Sequence, residues 1–268
     1  MIPVTSKDGT TIATYREGSG PLIVLVDAAL SLHDQSAKLS SALAPAFTAV
    51  SYDRRGRGAS GETLPPLLDR EVEDIEAIVA ANGGHAILFG SSSGGALALE
   101  AASRLGDAVT GLFLYEPPFI VDDSRPPLPA DLPTRIAALV RDRKRGKAVS
   151  AFFREAMGIP APFVALMHLM PSWGQGVRVA HTLAYDFAVL EGTQDGMPLP
   201  TQRWAGMRAP GIVMVGSRSE PFFHTGAQAL AALLPSIEYV SLEGGHHGSA
   251  VMSPAGIADA ITRRFVAS

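Results

Sequence analysis

A serine within a short glycine-rich turn is the residue of this chain best suited to do chemistry. The turn spans residues 90–95 (GSSSGG), follows the apolar run 85–89 and opens onto the helical pattern of 96–102. Strand, tight turn and helix form the context in which G-x-S-x-G makes a nucleophile elbow. The central hydroxyl is then lifted clear of the sheet, and the small flanking residues let neighbouring backbone pass close by. We therefore predict that Ser92 is a nucleophile, whereas outside this context the same letters would indicate only a Ser/Gly-rich loop.

The elements around this turn alternate between strand and helix patterns. Residues 22–26 (LIVLV) form a continuous apolar run, which is typical of a strand buried on both faces of a parallel sheet. A hairpin is predicted over residues 4–16, and further strands are predicted at 47–52, 85–89, 111–115, 211–215 and 237–242. Helices are predicted at 35–43, 68–81, 225–234 and 254–265, besides the helix that follows the turn. This alternation indicates βαβ units and a mainly parallel sheet.

The rhythm changes between residues 119 and 208. This segment has no clear buried strand, and its helical patterns lie at 132–145, 148–157, 162–170 and 177–190. We interpret residues 119–208 as a helical cap inserted into a core domain made of residues 1–118 and 209–268. The cap is rich in aromatic side chains and methionines, which suit a cover over a hydrophobic substrate.

Composition limits the function classes. A chain of 268 residues with 47% hydrophobic content can bury a substantial core, and its net charge of -4 provides no basic field for a polyanion. It has no cysteine, no signal-peptide pattern at its start and no apolar run near the ~18 residues of a membrane span. We expect a cytoplasmic protein that acts on a small-molecule substrate, without nucleic acid or membrane as partner. Assembly into a homodimer stays open.

At this point the chain resembles the α/β-hydrolase family over nearly its whole length. The resemblance rests on the turn at 90–95, the loop 52–60 (YDRRGRGAS) after the fourth strand, and the histidine pair that follows the last strand. It implies an eight-stranded, mainly parallel sheet flanked by helices, with the helical cap inserted after strand 6. The family order of nucleophile, acid and histidine is also compatible with this chain.

A nucleophilic serine needs a base with a pKa near neutrality, and a histidine must therefore reach Ser92. Of the seven histidines, His246 and His247 lie in the glycine-rich loop after the last strand. In the family the histidine usually follows a glycine, which favours His246, but a proline commonly lies seven residues beyond it, as Pro254 does from His247. The distance from the end of the strand also suits His247, which we choose, with His246 as the alternative.

The acid departs from the common family pattern. Many relatives place an aspartate in a Gly-x-x-Asp turn after the seventh strand, where this chain has Gly216-Ser217-Arg218-Ser219. The two remaining candidates are Glu220, one residue later, and Glu116, directly after the sixth strand. Some family members, including fungal zearalenone lactonases, use a glutamate after the sixth strand, and the resemblance therefore favours Glu116. Both positions lie at the carboxyl edge of a parallel sheet, so geometry allows either.

The family's oxyanion hole consists of two backbone N–H donors, which stabilise the developing negative charge of the transition state. The elbow supplies one donor from Ser93, at the start of its helix. The loop after the third strand normally supplies the other and reads His-Gly in many relatives, where this chain has Asp27-Ala28. By position Ala29 is then the second donor, and we expect Asp27 to be a buried carboxylate that shapes the loop.

Together these residues predict a cofactor-free serine hydrolase, without a metal, that cleaves a carboxylic ester or lactone of a small, largely apolar molecule. Ser92, His247 and Glu116 form the predicted triad. Serine at the elbow argues against epoxide hydrolases and dehalogenases, which need a carboxylate nucleophile. A lyase, cyclase, perhydrolase or carbon-carbon bond hydrolase on the same scaffold is the alternative, because fold does not fix function. A non-catalytic ligand receptor is less compatible with an apparently complete set of catalytic residues.

Overall fold

The computed structural model of the chain describes residues 1–266. Its strands form one eight-stranded sheet in the order β1-β2-β4-β3-β5-β6-β7-β8. The β1/β2 and β2/β4 pairs are antiparallel and the other five pairs are parallel. The strands are β1 (Ile2–Thr5), β2 (Thr11–Glu17), β3 (Leu22–Val26), β4 (Thr48–Tyr52), β5 (Ala86–Ser91), β6 (Val109–Tyr115), β7 (Gly211–Gly216) and β8 (Ile237–Leu242). The predicted α/β-hydrolase fold with its eight strands is confirmed.

Helices cover both faces of this sheet. In chain order the α-helices are α1 (Ala37–Leu43), α2 (Leu68–Ala81), α3 (Ser93–Leu105), α4 (Leu132–Arg141), α5 (Arg145–Ala151), α6 (Ala161–Met167), α7 (Pro171–Arg178), α8 (Leu183–Leu190), α9 (Pro221–Leu233), α10 (Ser249–Met252) and α11 (Ala255–Val266). The apolar faces of α2, α3 and α9 pack on one side of the sheet, and those of α1 and α11 pack on the other. Every residue of β3, β4 and β5 is buried because both faces of these central strands are covered.

Helices α4 to α8 lie between β6 and β7, and several of them share an apolar cluster of their own. The division into a core and a cap of residues 119–208 stays a prediction. The helices predicted from the sequence differ from the structure at two places in this segment. The predicted helix at 177–190 is broken, because α7 ends at Arg178, a single turn spans 180–182 and α8 begins at Leu183. Helix α7 was missed by the sequence patterns, although Pro171 at its first position is a common helix start.

The sheet order determines what can meet at its carboxyl edge. The loop after β3 and the turn after β5 lie side by side, because β3 pairs with both β4 and β5. Chain direction across the sheet reverses at this point, and ligands of open α/β sheets bind there. The ends of β6 and β7 follow directly beyond β5. Among residues 1–266, no helix has the length and apolar content to cross a membrane.

Candidate active site

The backbone at Ser92 has the strained geometry of an elbow. Ser92 lies between β5 and α3 with φ 54° and ψ -129°, in a region that L-residues rarely occupy. The turn closes only because its flanking residues lack side chains. A methyl group on Gly90 would overlap the Gly94 carbonyl, and one on Gly94 would overlap the Val26 carbonyl of β3. The Ser92 N–H donates to the Tyr115 carbonyl at 2.9 Å, which ties the elbow to the end of β6.

The loop after β8 brings a histidine and a carboxylate together. His247 Nδ1 lies 2.8 Å from Glu116 Oε2, across 131 residues of chain. The His247 ring stacks on Phe223 of α9, with centroids 4.6 Å apart and planes 18° apart. His247 and Ser92 line the same cavity. Because Glu116 holds Nδ1, Nε2 is the ring nitrogen left to accept a proton within that cavity.

Glu116 is completely buried, and three donors surround its carboxylate. Oε1 accepts hydrogen bonds from the Gly216 N–H at 2.7 Å and from the Ser219 hydroxyl, while Oε2 faces His247. Burial alone would raise the pKa of Glu116, but the hydrogen bonds from His247, Ser219 and Gly216 outweigh it and hold the pKa below its usual value. The carboxyl is therefore ionised near neutral pH. The backbone of Glu116 is also strained, with φ 49°.

Ser219 is the residue that sequence reasoning missed. It occupies the position where many relatives have the aspartate, and in this chain it donates to Glu116, which directly follows the neighbouring strand. The contact follows from the sheet, because β7 pairs directly with β6. The Gly216-x-x-Ser219 spacing is the signal in the sequence for this position, but the spacing alone does not reveal that the serine donates to a carboxylate.

The alternative acid, Glu220, and the alternative base, His246, lie outside the cavity that contains Ser92. Glu220 is 64% exposed and its closest ion pair is with Arg125, at 3.6 Å. His246 is exposed, and its Nδ1 accepts a hydrogen bond from the Gly248 N–H at 3.1 Å. Within the described chain, neither residue is part of the cavity wall that contains Ser92 and His247.

The peptide between Ala28 and Ala29 is held in one orientation. Arg57 Nη1 donates to the Ala28 carbonyl at 2.7 Å, and the Ser31 N–H donates to the same oxygen at 3.3 Å. In a trans peptide the N–H points opposite to the carbonyl, so these bonds also orient the Ala29 N–H. Both alanines line the cavity beside Ser92. The Ser93 N–H belongs to the first turn of α3, where N–H groups have no acceptor within the helix.

The arginines after β4 are structural. Arg54 forms a two-bond fork with Glu71 at 2.7 Å, and Arg55 forms one with Asp74 at 2.6 and 2.8 Å. Arg57 pairs with Asp186 of α8 at 2.8 Å. All three guanidinium groups are buried, so their charges are used within the fold and do not attract substrate.

A cavity of about 720 Å³ opens above Ser92. Most of its lining is apolar, and the polar and charged groups that also line it include the exposed Asp34 and Lys38. The apolar side chains contributed by the segment between β6 and β7 are Val149, Phe152, Phe153, Met157, Met167 and Trp173. Such a lining suits an apolar acyl or ring group with a polar end toward solvent. Within residues 1–266, no group of three or more His, Asp or Glu side chains is arranged to hold a metal ion.

Asp27 lies under the loop that carries Ala29. Its carboxylate is buried and accepts a hydrogen bond from the Ser36 hydroxyl at 3.0 Å, and its carbonyl accepts one from Arg54 at 3.1 Å. Burial raises the pKa of Asp27 to about 7, although Ser36, Arg57 and Arg54 oppose the rise. Asp27 is buried, and a pKa of about 7 leaves its carboxyl protonated over part of the neutral range.

We predict that Asp27→Asn changes how stability depends on pH. Between pH 4 and 7 the unfolded carboxyl is ionised while the folded one keeps its proton, so folding takes up a proton and stability falls as pH rises. The variant has no such group to titrate. Its free energy of unfolding, relative to that of the wild type, should therefore rise across that window by at most about 1.4 kcal/mol per pH unit. Urea unfolding of both proteins at pH 5 and pH 7.5 measures it. If the free energies of unfolding of variant and wild type differ by the same amount at the two pH values, the prediction is wrong.

The chain belongs to the α/β-hydrolase family. The model of the Alpha/beta hydrolase family matches residues 27–260, which include the elbow, Glu116 and His247. No curated protein sequence matches the chain. Solved structures do, and an α/β hydrolase from Sphaerobacter thermophilus DSM 20745 shares 45% sequence identity at a TM-score of 0.90, covering 98% of this chain and all of its own.

Two more distant structures support the fold alone. A thermophilic esterase from Thermogutta terrifontis is 20% identical with a TM-score of 0.73, over 99% of this chain and 97% of its own. The enol-lactonase from Burkholderia xenovorans LB400 is 21% identical with a TM-score of 0.69, over 99% of this chain and 98% of its own.

Proposed function

We propose that this protein is a cofactor-free serine hydrolase that cleaves a carboxylic ester or lactone of a small, largely apolar molecule. The observation that supports this most is the sharing of one apolar cavity by Ser92, on its strained turn, and His247, whose Nδ1 lies 2.8 Å from the buried Glu116. An esterase and an enol-lactonase share the fold, and both names denote chemistry of this class.

In the proposed reaction Ser92 Oγ attacks the carbonyl carbon while His247 Nε2 takes the hydroxyl proton. Glu116 holds the imidazole in the tautomer that leaves Nε2 free and stabilises the imidazolium that forms. His247 then gives the proton to the leaving oxygen, and an acyl-enzyme remains on Ser92. A water molecule, deprotonated by the same nitrogen, attacks the acyl group and restores the serine.

The N–H groups of Ser93 and Ala29 hold the oxyanion of each tetrahedral intermediate. Removing one such donor from an enzyme typically costs 10²- to 10³-fold in rate. Two fixed N–H groups are worth far more than the same groups in water, because they need no reorganisation as the charge develops.

The test combines turnover with labelling of the nucleophile. We expect the protein to hydrolyse p-nitrophenyl esters and to react stoichiometrically with a fluorophosphonate probe. Peptide mapping should place the label on Ser92 and leave Ser91 and Ser93 unmodified, although all three serines share one turn. Absence of turnover together with absence of label would refute the proposal.

The apolar wall predicts a matched pair of phenotypes. Phe153 lines the cavity, whereas Phe163 is 62% exposed on α6. We expect Phe153→Ala to raise KM for an aryl ester about tenfold, with kcat changed less than about threefold, because it removes apolar contact made equally in the ground and transition states. Steady-state kinetics with phenylacetate and acetate esters measures this. The same change at Phe163 should leave both constants near wild type, and equal effects of the two variants would contradict the assigned wall.

A further inference from the structure

One carboxylate of α8 contacts groups on both sides of the candidate oxyanion hole. Asp186 Oδ1 accepts a hydrogen bond from the Ser93 hydroxyl at 2.8 Å. Its Oδ2 accepts one from Arg57 Nη2 at 2.8 Å, and Arg57 Nη1 donates in turn to the Ala28 carbonyl at 2.7 Å. Asp186 is therefore one bond from the residue that bears the first N–H donor and two bonds from the peptide that bears the second.

These contacts fix directions as well as positions. The Ala28 carbonyl and the Ala29 N–H belong to one planar peptide. A hydrogen bond that fixes the carbonyl oxygen therefore also fixes the direction of the N–H. The Ser93 hydroxyl lies on the first residue of α3, whose N–H is the other donor, so its bond to Asp186 restrains the start of that helix. Both restraints originate on a segment 93 residues from Ser93 and 129 from Arg57 in sequence.

The surroundings make Asp186 a firm anchor. It is buried with 2% exposure, it also accepts a hydrogen bond from Arg54 at 2.7 Å, and Arg54 is forked by Glu71. The positive charges of two guanidinium groups thus balance the negative charges of two carboxylates within this cluster. Burial would raise the pKa of Asp186, but Arg54, Arg57 and the Ser93 hydroxyl hold it below its usual value, which keeps the carboxylate ionised.

We propose that Asp186 is a positioning residue that aligns both oxyanion donors, Ser93 N–H and Ala29 N–H, from the segment inserted between β6 and β7. The inference rests on the proposed hydrolase function. It makes oxyanion stabilisation depend on the docking of α8, and it assigns the Arg57 side chain to transmitting that dependence to the loop after β3.

The test separates transition-state from ground-state binding. An aryl trifluoromethyl ketone adds Ser92 Oγ to its carbonyl carbon, the serine proton passes to His247, and the carbonyl electron pair becomes an oxyanion. The corresponding trifluoromethyl carbinol fills the same space and forms no oxyanion. We expect Asp186→Asn to weaken the ketone about 10- to 100-fold and to lower kcat similarly, since small misplacements of catalytic groups have effects of this size. Its carbinol inhibition constant should stay within about threefold of wild type.

Two further variants keep the test decisive. Ser93→Ala leaves all charges in place and removes only the bond to the elbow helix, so a smaller loss of ketone affinity, about tenfold, is expected. Ser93→Thr keeps the hydroxyl and should restore wild-type affinity to within about threefold. If Asp186→Asn fails to fold, the Ser93 pair decides, because unchanged ketone affinity in Ser93→Ala would overturn the inference.

The matched control is Asp74→Asn. Asp74 is an equally buried aspartate that forks Arg55 of the same loop, so it matches Asp186 in burial and in having an arginine partner. It should lower stability while leaving the ratio of ketone to carbinol affinity at the wild-type value. Equal shifts of that ratio in Asp74→Asn and Asp186→Asn would overturn the inference. A wild-type protein that neither turns over esters nor binds the ketone would instead refute the proposed function.

Discussion

His247→Ala is expected to lower kcat/KM for ester hydrolysis about 10⁵-fold, and His246→Ala less than tenfold. Losing the base leaves Ser92 with a hydroxyl that is almost never ionised at neutral pH, and triad deletions in serine hydrolases have effects of this order. His247 alone of the pair combines a place in the cavity wall with a bond to Glu116. Steady-state kinetics over a range of ester concentrations measures both variants.

The adjacent histidine is a close control. The imidazole of His246 is exposed, while its backbone carbonyl accepts a hydrogen bond from the Tyr115 hydroxyl at 2.8 Å. Alanine keeps that carbonyl and removes only the exposed side-chain acceptor of the Gly248 N–H, which water can replace, so the loop should keep its conformation. Added imidazole should partly restore the activity of His247→Ala, because the cavity is open to solvent and the missing ring leaves space beside Glu116. If kcat/KM falls by comparable factors in the two variants, His247 is not the base.

Glu116→Gln is expected to lower kcat/KM by about 10³- to 10⁴-fold with little change in fold. Gly216 N–H and Ser219 Oγ both donate to Oε1, so the amide oxygen of glutamine stays on their side and the NH₂ group faces His247 Nδ1. Nδ1 must then accept a hydrogen bond, which puts the ring proton on Nε2. The imidazole is held in the wrong tautomer and cannot take the proton of Ser92, which in a serine protease costs about 10⁴-fold.

Glu220→Gln provides the comparison, because it changes the same group one residue beyond Ser219. The Glu220 side chain is 64% exposed and forms an ion pair with Arg125 at 3.6 Å, so its variant should keep activity within about twofold. Slower fluorophosphonate labelling of Ser92 in Glu116→Gln, with normal labelling in Glu220→Gln, would support the same conclusion without a substrate. Full activity in Glu116→Gln would remove Glu116 from the proposed triad.

The fold was largely predictable because its signals are local. An apolar run such as residues 22–26 predicts a strand buried on both faces. The turn at 90–95 is recognised together with its strand and helix from about a dozen consecutive residues. The helices between β6 and β7 were less predictable. Their boundaries depend on packing against one another and on prolines such as Pro171, which a periodicity of apolar residues does not reveal.

The sequence by itself determined the chemistry on offer: a serine on an elbow, two adjacent histidines, two candidate glutamates and no aspartate at the usual acid position. It left the partners undecided, because a hydrogen bond such as that between Glu116 and His247 joins residues 131 positions apart. Only the sheet order, with β7 beside β6, brings Ser219 to the Glu116 carboxylate. Likewise, only the docking of α8 brings Asp186 to Ser93 and Arg57. Residue types are a local property of the chain, whereas the distances that let them act together are created by the packing of elements far apart in sequence.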